Sequence, residues 1–411
     1  MTRNWLICIA VGAAPLAHAQ SSLSFSEAVE RAANDGPTIE AQRAAVEAAQ
    51  RSIGPSGRLP DPQLVLGFND VPVTGPNAGS LTRDDFTMQR VGIMQDVPNR
   101  AERRARTAVA TAEAEKAKAG LNVAGLDARL GAAQAWIALH FALRRAAIID
   151  GLEQEAHLRS EAIRGRFGGG GATLDETVVA AIDAAQVEDR RGEAAAAVVA
   201  ARAALRRWIG DAADAPLAPE QPAFRIDAAH LRDHIQRHPA FIAYRAERAL
   251  ADANVAMARS ETKPDWAWEA SYGRRDPSFG DLASVGVRIG LPLFQGGRQK
   301  PIVEARRFDA ARVASEQEAA LREHTALLEQ RLAEYAALSA NLTRARDVRL
   351  PLARQRAAAA IGAHGAGSGS VTQLIDARTA VLEAEIDLVD LEERLALIGA
   401  ALSLEYGETP P

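Results

Sequence analysis

Cysteine is almost missing from this chain: among 411 residues only Cys8 carries a thiol. It lies in an N-terminal stretch in which Arg3 supplies a positive start and residues 6–16 form an apolar run. Ala17-His18-Ala19 then gives a small-x-small cleavage pattern. Residues 1–19 are therefore expected to be a secretory leader. Cys8 follows Ile7 rather than the small residue a lipid-attachment site needs, so no lipid anchor is expected. A mature chain without thiols excludes disulfides and cysteine metal sites and suits an oxidising compartment. Long hydrophobic runs are missing too. Beyond the leader no stretch reaches the roughly 18 apolar residues of a membrane helix, so any part that crosses a bilayer has to be a β-barrel. Basic excess is absent: the formal net charge is −5, and loss of Arg3 makes it more acidic, which leaves no footprint for nucleic acid. No His-Glu-x-x-His segment, Gly-x-Ser-x-Gly elbow or nucleotide fingerprint occurs. The expectation is a non-enzyme without a cofactor.

What is present is a long-period repeat. Pro37, Arg43 and Pro62 match Pro239, Arg245 and Pro264 at one constant offset. Val91-Gly92-Ile93 and Pro98 then match Val285-Gly286-Val287 and Pro292 at a slightly shorter one. A glycine-rich stretch at 167–172 corresponds to 361–370. Repeats of this length imply a twofold internal architecture, not a short-period solenoid. The expected division is 20–215 and 216–411. Each half should hold an amphipathic helix of about thirty residues, two strands, and a long helical hairpin. The strands are expected near 61–72 and 84–98, then 265–275 and 283–294; the hairpins near 99–210 and 297–407.

Residues 99–166 contain no proline and would form a helix of roughly 100 Å at 1.5 Å per residue, longer than a compact domain requires. Pro351 interrupts the matching run, where a kink or break is expected. In the last hairpin arm Leu374, Val381, Leu388, Leu395 and Leu402 recur every seventh residue, with Ala377, Ala384, Leu391 and Ile398 set three later. Such an a/d seam predicts coiled-coil packing.

The strand segments alternate. Trp266, Trp268, Ala270 and Tyr272 share a face opposite Ala267, Glu269, Ser271 and Gly273, and Val285, Val287 and Ile289 oppose Gly286, Arg288 and Gly290. Leu64, Leu66 and Phe68 alternate likewise, with Val65 as an exception. Val91, Ile93 and Val97 share a face with Gln89 and Gln95. Alternation over about ten residues suits a wall with lipid on one side and water on the other. It equally suits a half-buried sheet. Four strands cannot close a barrel, and open edges do not survive in lipid, so several copies would have to contribute to one.

This layout resembles the TolC-like outer-membrane efflux family over essentially the whole mature chain. The resemblance rests on Phe25-Ser26-Glu27-Ala28 followed by Pro37, on Arg166-Phe167-Gly168 with Leu174-Asp175, and on the stretch from Gly365 to Leu374-Ile375-Asp376-Ala377. It implies a mixed α/β membrane protein. Four β-strands per chain would contribute to a trimeric twelve-stranded outer-membrane barrel, continued by long α-helical coiled-coil hairpins as a periplasmic tunnel. It further implies a homotrimer in outer-membrane lipid, a periplasmic adaptor (membrane fusion) protein and an inner-membrane resistance-nodulation-division type pump. Leu59-Pro60-Asp61-Pro62-Gln63-Leu64, Asn69-Asp70-Val71-Pro72 and Met94-Gln95-Asp96-Val97-Pro98 resemble the heavy-metal (CzcC-like) branch, except that Asn99 and Arg100 replace that branch's glycine and lysine. Heavy-metal cations are the expected cargo. Drugs or small organic molecules, and a periplasmic coiled-coil adaptor, stay open as alternatives.

By the same resemblance Asp376, Gln373 and Asp175 fall at periplasmic gate positions, where carboxylate rings can hold cations. Gly168, Gly169, Gly170 and Gly171, with Gly365, Gly367 and Gly369, mark the hairpin tips that meet the adaptor. Each carboxylate could equally be a solvated or helix-capping group. Trp266, Trp268 and Tyr272 make the aromatic face of the barrel. His230 and His234 have the spacing of a metal-chelating pair on one helix face, though an ordinary surface helix explains them as well.

Overall fold

The computed structural model describes residues 22–407; the expected leader lies outside them. In chain order the elements are α1 Phe25–Asp35, α2 Pro37–Ser56, β1 Gln63–Asn69, β2 Met88–Val97, α3 Arg100–Gly168, α4 Leu174–Ile209, α5 Ala228–His234, α6 Pro239–Ser260, β3 Asp265–Arg274, β4 Leu282–Gly290, α7 Gln299–Arg344, α8 Leu350–Gly365 and α9 Val371–Tyr406. Among the described residues no helix is long and apolar enough to cross a membrane.

The opening helix of each half is two helices, not one of thirty residues. Gly36 takes an extended conformation and Pro37, which has no N–H to donate, starts α2. In the second half His238 and Pro239 do the same for α6. The strands are shorter than the alternation suggested. Pro60 and Pro62 hold back the start of β1. Asp70, in the left-handed region at φ 57°, ends it, and Pro292 follows the end of β4. Pro351 does not break its helix. The ladder opens into a π turn over Ala345–Arg349, and Pro351 enters the first turn of α8, where a missing N–H costs little.

The chain packs as two units, each with its own core. One comprises residues up to 31, 131–223 and 341–397, and holds both hairpin tips with α4, α8 and most of α9. Trp136 is fully buried and its indole N–H donates to the Leu23 carbonyl at 3.2 Å, while Phe25 meets its ring edge-on. Gly131 is required where it stands, because a side-chain carbon there would fall 2.1 Å from the Trp208 ring. In the middle of α9 the most buried row is Val389, Glu392 and Ala396, one position off the heptad seam, whose Leu388 and Leu395 are only half-buried, while the seam's Ala377 and Leu402 towards either end are buried. The offset follows from neighbours on more than one side. Arg144 and Arg145 of α3 reach Glu392 (2.6 Å), Asp390 (2.8 Å) and Glu393, and Arg346 of the π turn reaches Glu392 at 2.8 Å from another direction. Glu392 is buried, so two guanidiniums offset its desolvation.

The other unit comprises residues 32–130, 224–340 and 398 onward. It holds an antiparallel sheet in the order β1-β2-β3-β4. β2 and β3 pair from Gln89↔Arg274 to Val97↔Trp266, so strands far apart in sequence form its centre and β1 and β4 its edges. Leu231, Leu328, Leu332, Leu402 and Tyr406 make a helical core in the same unit.

Candidate functional site

The pairing register sorts every strand residue onto one of two faces, since partners across a ladder point the same way. One face carries Leu64, Leu66, Phe68, Val91, Ile93, Trp266, Trp268, Tyr272, Val285, Val287 and Ile289, and all of these are exposed. Val285 is 82% exposed. Trp266, Trp268 and Tyr272 stand together on it, and the Tyr272 hydroxyl donates to Asp281 in the β3–β4 turn. Val65, the exception in the alternation, falls on the opposite face, paired with Gly92.

That opposite face is polar and low. Gly67, Gly92, Gly273, Gly286 and Gly290 leave it nearly bare. Gly92 is constrained by close approach, because a side-chain carbon there would lie 2.8 Å from Ser271 Cβ. Over this flat floor Arg90 forms an ion pair with Glu269 along the wall. Arg288 lies on the same face, and its guanidinium contacts Met94 Sδ at 3.6 Å. The strand alternation already assigns Arg288 and Glu269 to this face; the Arg90–Glu269 pairing needs the β2–β3 register, which alternation does not supply.

In the helical unit the tips are built by matching devices. At the first, Gly170 adopts φ 76° and donates to the Phe167 carbonyl, while Gly171 donates to the Arg166 carbonyl at 2.8 Å. Thr173 then caps α4. Its hydroxyl accepts from the Glu176 amide at 3.2 Å, and its amide donates back to the Glu176 carboxylate at 2.7 Å. That backbone donor holds the Glu176 carboxyl below its ordinary pKa. At the second tip Gly367 adopts φ 72°, and Ser370 and Gln373 exchange the same two bonds at 3.1 and 3.2 Å. Only Gly170 and Gly367 of the seven tip glycines named above need a positive φ. Gly369 instead sits 3.0 Å, as measured to an added side-chain carbon, from Ala363 Cβ.

The three gate candidates make different contacts. Gln373 is occupied as a cap. Asp175 has no ion pair among the described residues. Asp376 lies 3.2 Å from Arg159 of α3, which also lies 3.2 Å from Asp183 of α4. Arg159 thus ties three helices. It carried no signal in the sequence, because nothing in one helix's pattern names partners on two others. The rings of His230 and His234 stack at 4.1 Å, nearly parallel, and His234 Nδ1 bonds the His230 carbonyl at 2.8 Å. His238 turns elsewhere: buried, it accepts the Ala240 amide at Nδ1 and packs 4.4 Å from the His324 ring. No group of three or more metal-ligating side chains occurs among the described residues.

A sheet with one bare apolar face and one polar face, and two helical hairpins with capped glycine tips, define the class as an outer-membrane channel fold. Solved structures share it. VceC, an outer membrane protein of Vibrio cholerae, is 20% identical with a TM-score of 0.75, the match covering 93% of this chain and 96% of that one. The CmeC outer membrane channel of Campylobacter jejuni is 12% identical at a TM-score of 0.78, covering 93% and 85%. The open state of the MtrE outer membrane channel of Neisseria gonorrhoeae is 16% identical at 0.73, covering 93% and 88%. No curated protein sequence matches. Residues 231–407 match the family model described as outer membrane efflux protein.

Proposed function

We propose that the chain is one of three identical subunits of an outer-membrane conduit, through which an inner-membrane pump and a periplasmic adaptor export their cargo. One observation carries this reading. The four-stranded sheet exposes a face that is apolar but for Gln89 and Gln95, and its edge strands β1 and β4 both lack an outer partner among the described residues. In an antiparallel sheet of four, β1 and β4 run in opposite senses, so β1 of one copy can extend the ladder of the next copy's β4. Three copies would then close twelve strands without an edge and turn the apolar face to lipid. The recurrence of helix, two strands and hairpin supports a twofold internal repeat. Two hairpins fit this reading better than an adaptor, which needs one.

The tips at Gly168 to Gly171 and at Gly365, Gly367 and Gly369 are the proposed adaptor surface, with Asp376, and Asp175 and Gln373 beside it, at the entrance. The conduit is passive: energy comes from the pump. The proposed cargo is heavy-metal cations, on the strength of the Pro60-Asp61-Pro62 and Met94-Gln95-Asp96 segments. Pro60-Asp61-Pro62 borders β1 and Met94-Gln95-Asp96 lies within β2. His230 and His234 supply two imidazoles and no third ligand, which favours the surface-helix reading over a metal site.

The test has two arms. Native protein should fractionate with the outer membrane and migrate as a trimer in detergent until boiled, and cysteines at Leu66 and Val287 or their neighbours should cross-link between copies. Release without detergent as a monomer would overturn the conduit. A deletion strain, with and without the gene restored, should show rescued sensitivity to metals such as zinc, cobalt or cadmium. Sensitivity confined to drugs would replace the cargo and keep the channel.

A further inference from the structure

The strands put five charged side chains on the polar face: Arg90 and Asp96 of β2, Asp265 and Glu269 of β3, and Arg288 of β4. They are not equivalent. Arg90 and Glu269 neutralise each other along the wall. Asp265 is engaged at the strand base, where it accepts from the Asn99 amide and side chain at 2.7 and 2.8 Å. Asp96 is half-buried. Arg288 is exposed, has no carboxylate partner among the described residues, and touches only the neutral thioether of Met94. Gly286 and Gly290 flank it on its own strand and Ala267 is its partner across the ladder, with Asp265 and Glu269 two residues along β3 on either side of that partner.

We propose that Arg288 sets the ion preference of the barrel. Resting on the reading above, in which three copies close the barrel with this face inward, it forms a ring of three fixed positive charges in the lumen. The ring offsets part of the acidic charge that Asp96 and Asp265 leave on the same face, and so weakens the lumen's preference for cations. A ring on a wide wall acts through solvent. Its reach is the Debye length, about 10 Å at 0.1 M salt and about 30 Å at 0.01 M, so the effect is strongest in dilute salt.

The experiment is the reversal potential of purified trimers in planar bilayers under a potassium chloride gradient at low ionic strength. Arg288→Glu should raise the potassium-to-chloride permeability ratio by on the order of 3-fold or more, with Arg288→Ala between it and wild type. Arg288→Lys should keep the wild-type value. Arg90→Ala, which frees Glu269, should shift the ratio the same way as Arg288→Ala. Trimers that conduct with unmoved reversal potentials, or Arg288→Lys behaving as Arg288→Ala, would overturn the assignment. If wild-type trimers insert and no conductance appears, the conduit reading itself falls, and this inference with it.

Discussion

Arg159 Nη1 lies 3.2 Å from the Asp376 carboxylate, joining the outgoing arm of the first hairpin to the returning arm of the second. The same guanidinium reaches Asp183 at 3.2 Å, and the Arg378–Glu155 pair, also at 3.2 Å, lies alongside. Arg159 is mostly buried, and its Nε has no partner among the described residues. Its hold therefore depends on the two carboxylates, in surroundings drier than a surface pair has. If these arms must part for the tip to open, Arg159→Ala and Asp376→Ala should each raise single-channel conductance. The double variant should add little, because both remove one link. Wild-type conductance in both singles would take this link out of the gate.

The two faces of β4 should respond oppositely to charge. Val287 points to the apolar side and Ser284 to the polar side, three residues away. Val287→Arg places a guanidinium against lipid, at a cost of about 2–4 kcal/mol per copy near the bilayer midplane. Ser284→Arg should assemble normally. The readout is the yield of heat-modifiable trimer in outer-membrane fractions. Equal yields would mean that the apolar face is covered by protein and not lipid.

His238 should make the helical core acid-sensitive. Burial first, then the neighbouring His324 and Arg331, push its pKa down to about 4. Tyr406 faces the same cluster, and the Arg331–Glu405 pair adjoins it. In an unfolded chain the imidazole titrates near 6.5. Between those values the unfolded chain binds a proton that the folded chain refuses. The contribution is therefore full above about pH 6.5 and is lost as pH falls to about 4, by no more than about 3 kcal/mol. Protonation at Nδ1 also turns the acceptor of the Ala240 amide into a donor. His238→Asn keeps an acceptor there and removes the titration. Its thermal midpoint should fall less than that of wild type between pH 7.5 and 4.5, and an equal fall would assign the acid sensitivity to other groups.

The first tip should discriminate among its glycines. Gly170, at φ 76°, should lose roughly 1–2 kcal/mol of tip stability on replacement by alanine. Gly168→Ala closes a helix with open space around it and should be neutral or slightly stabilising. Hydrogen exchange of the 165–177 amides measures both. Equal protection in the two variants would show that the turn re-forms without the left-handed residue.

Much of this was legible in the chain. Strand parity needs only a period of two, so the apolar side with Trp266, Trp268 and Tyr272 and the polar side with Glu269 and Arg288 could be read directly. The Gly168 to Gly171 run announced the first tip, whereas its Thr173–Glu176 cap came only with the structure. Proline position alone could not show whether Pro351 would break a helix, because the answer lay in whether the preceding turn could widen into a π turn. The Ala-rich helices gave a seam but no partners, and Glu392 was an ordinary heptad carboxylate until Arg144 and Arg346 closed on it from two elements.

Local and periodic constraints were therefore set by the sequence itself: secondary-structure type, the sidedness of each strand and turn chemistry. Tertiary structure alone decided the rest. It joined β2 to β3, laid Arg90 against Glu269, 179 residues away, while leaving Arg288 without a paired carboxylate among the described residues, and placed Arg159 between Asp183 and Asp376. The reason is physical. A hydrophobic period constrains one element's own faces, whereas an ion pair between elements depends on register and packing that no single element's period contains.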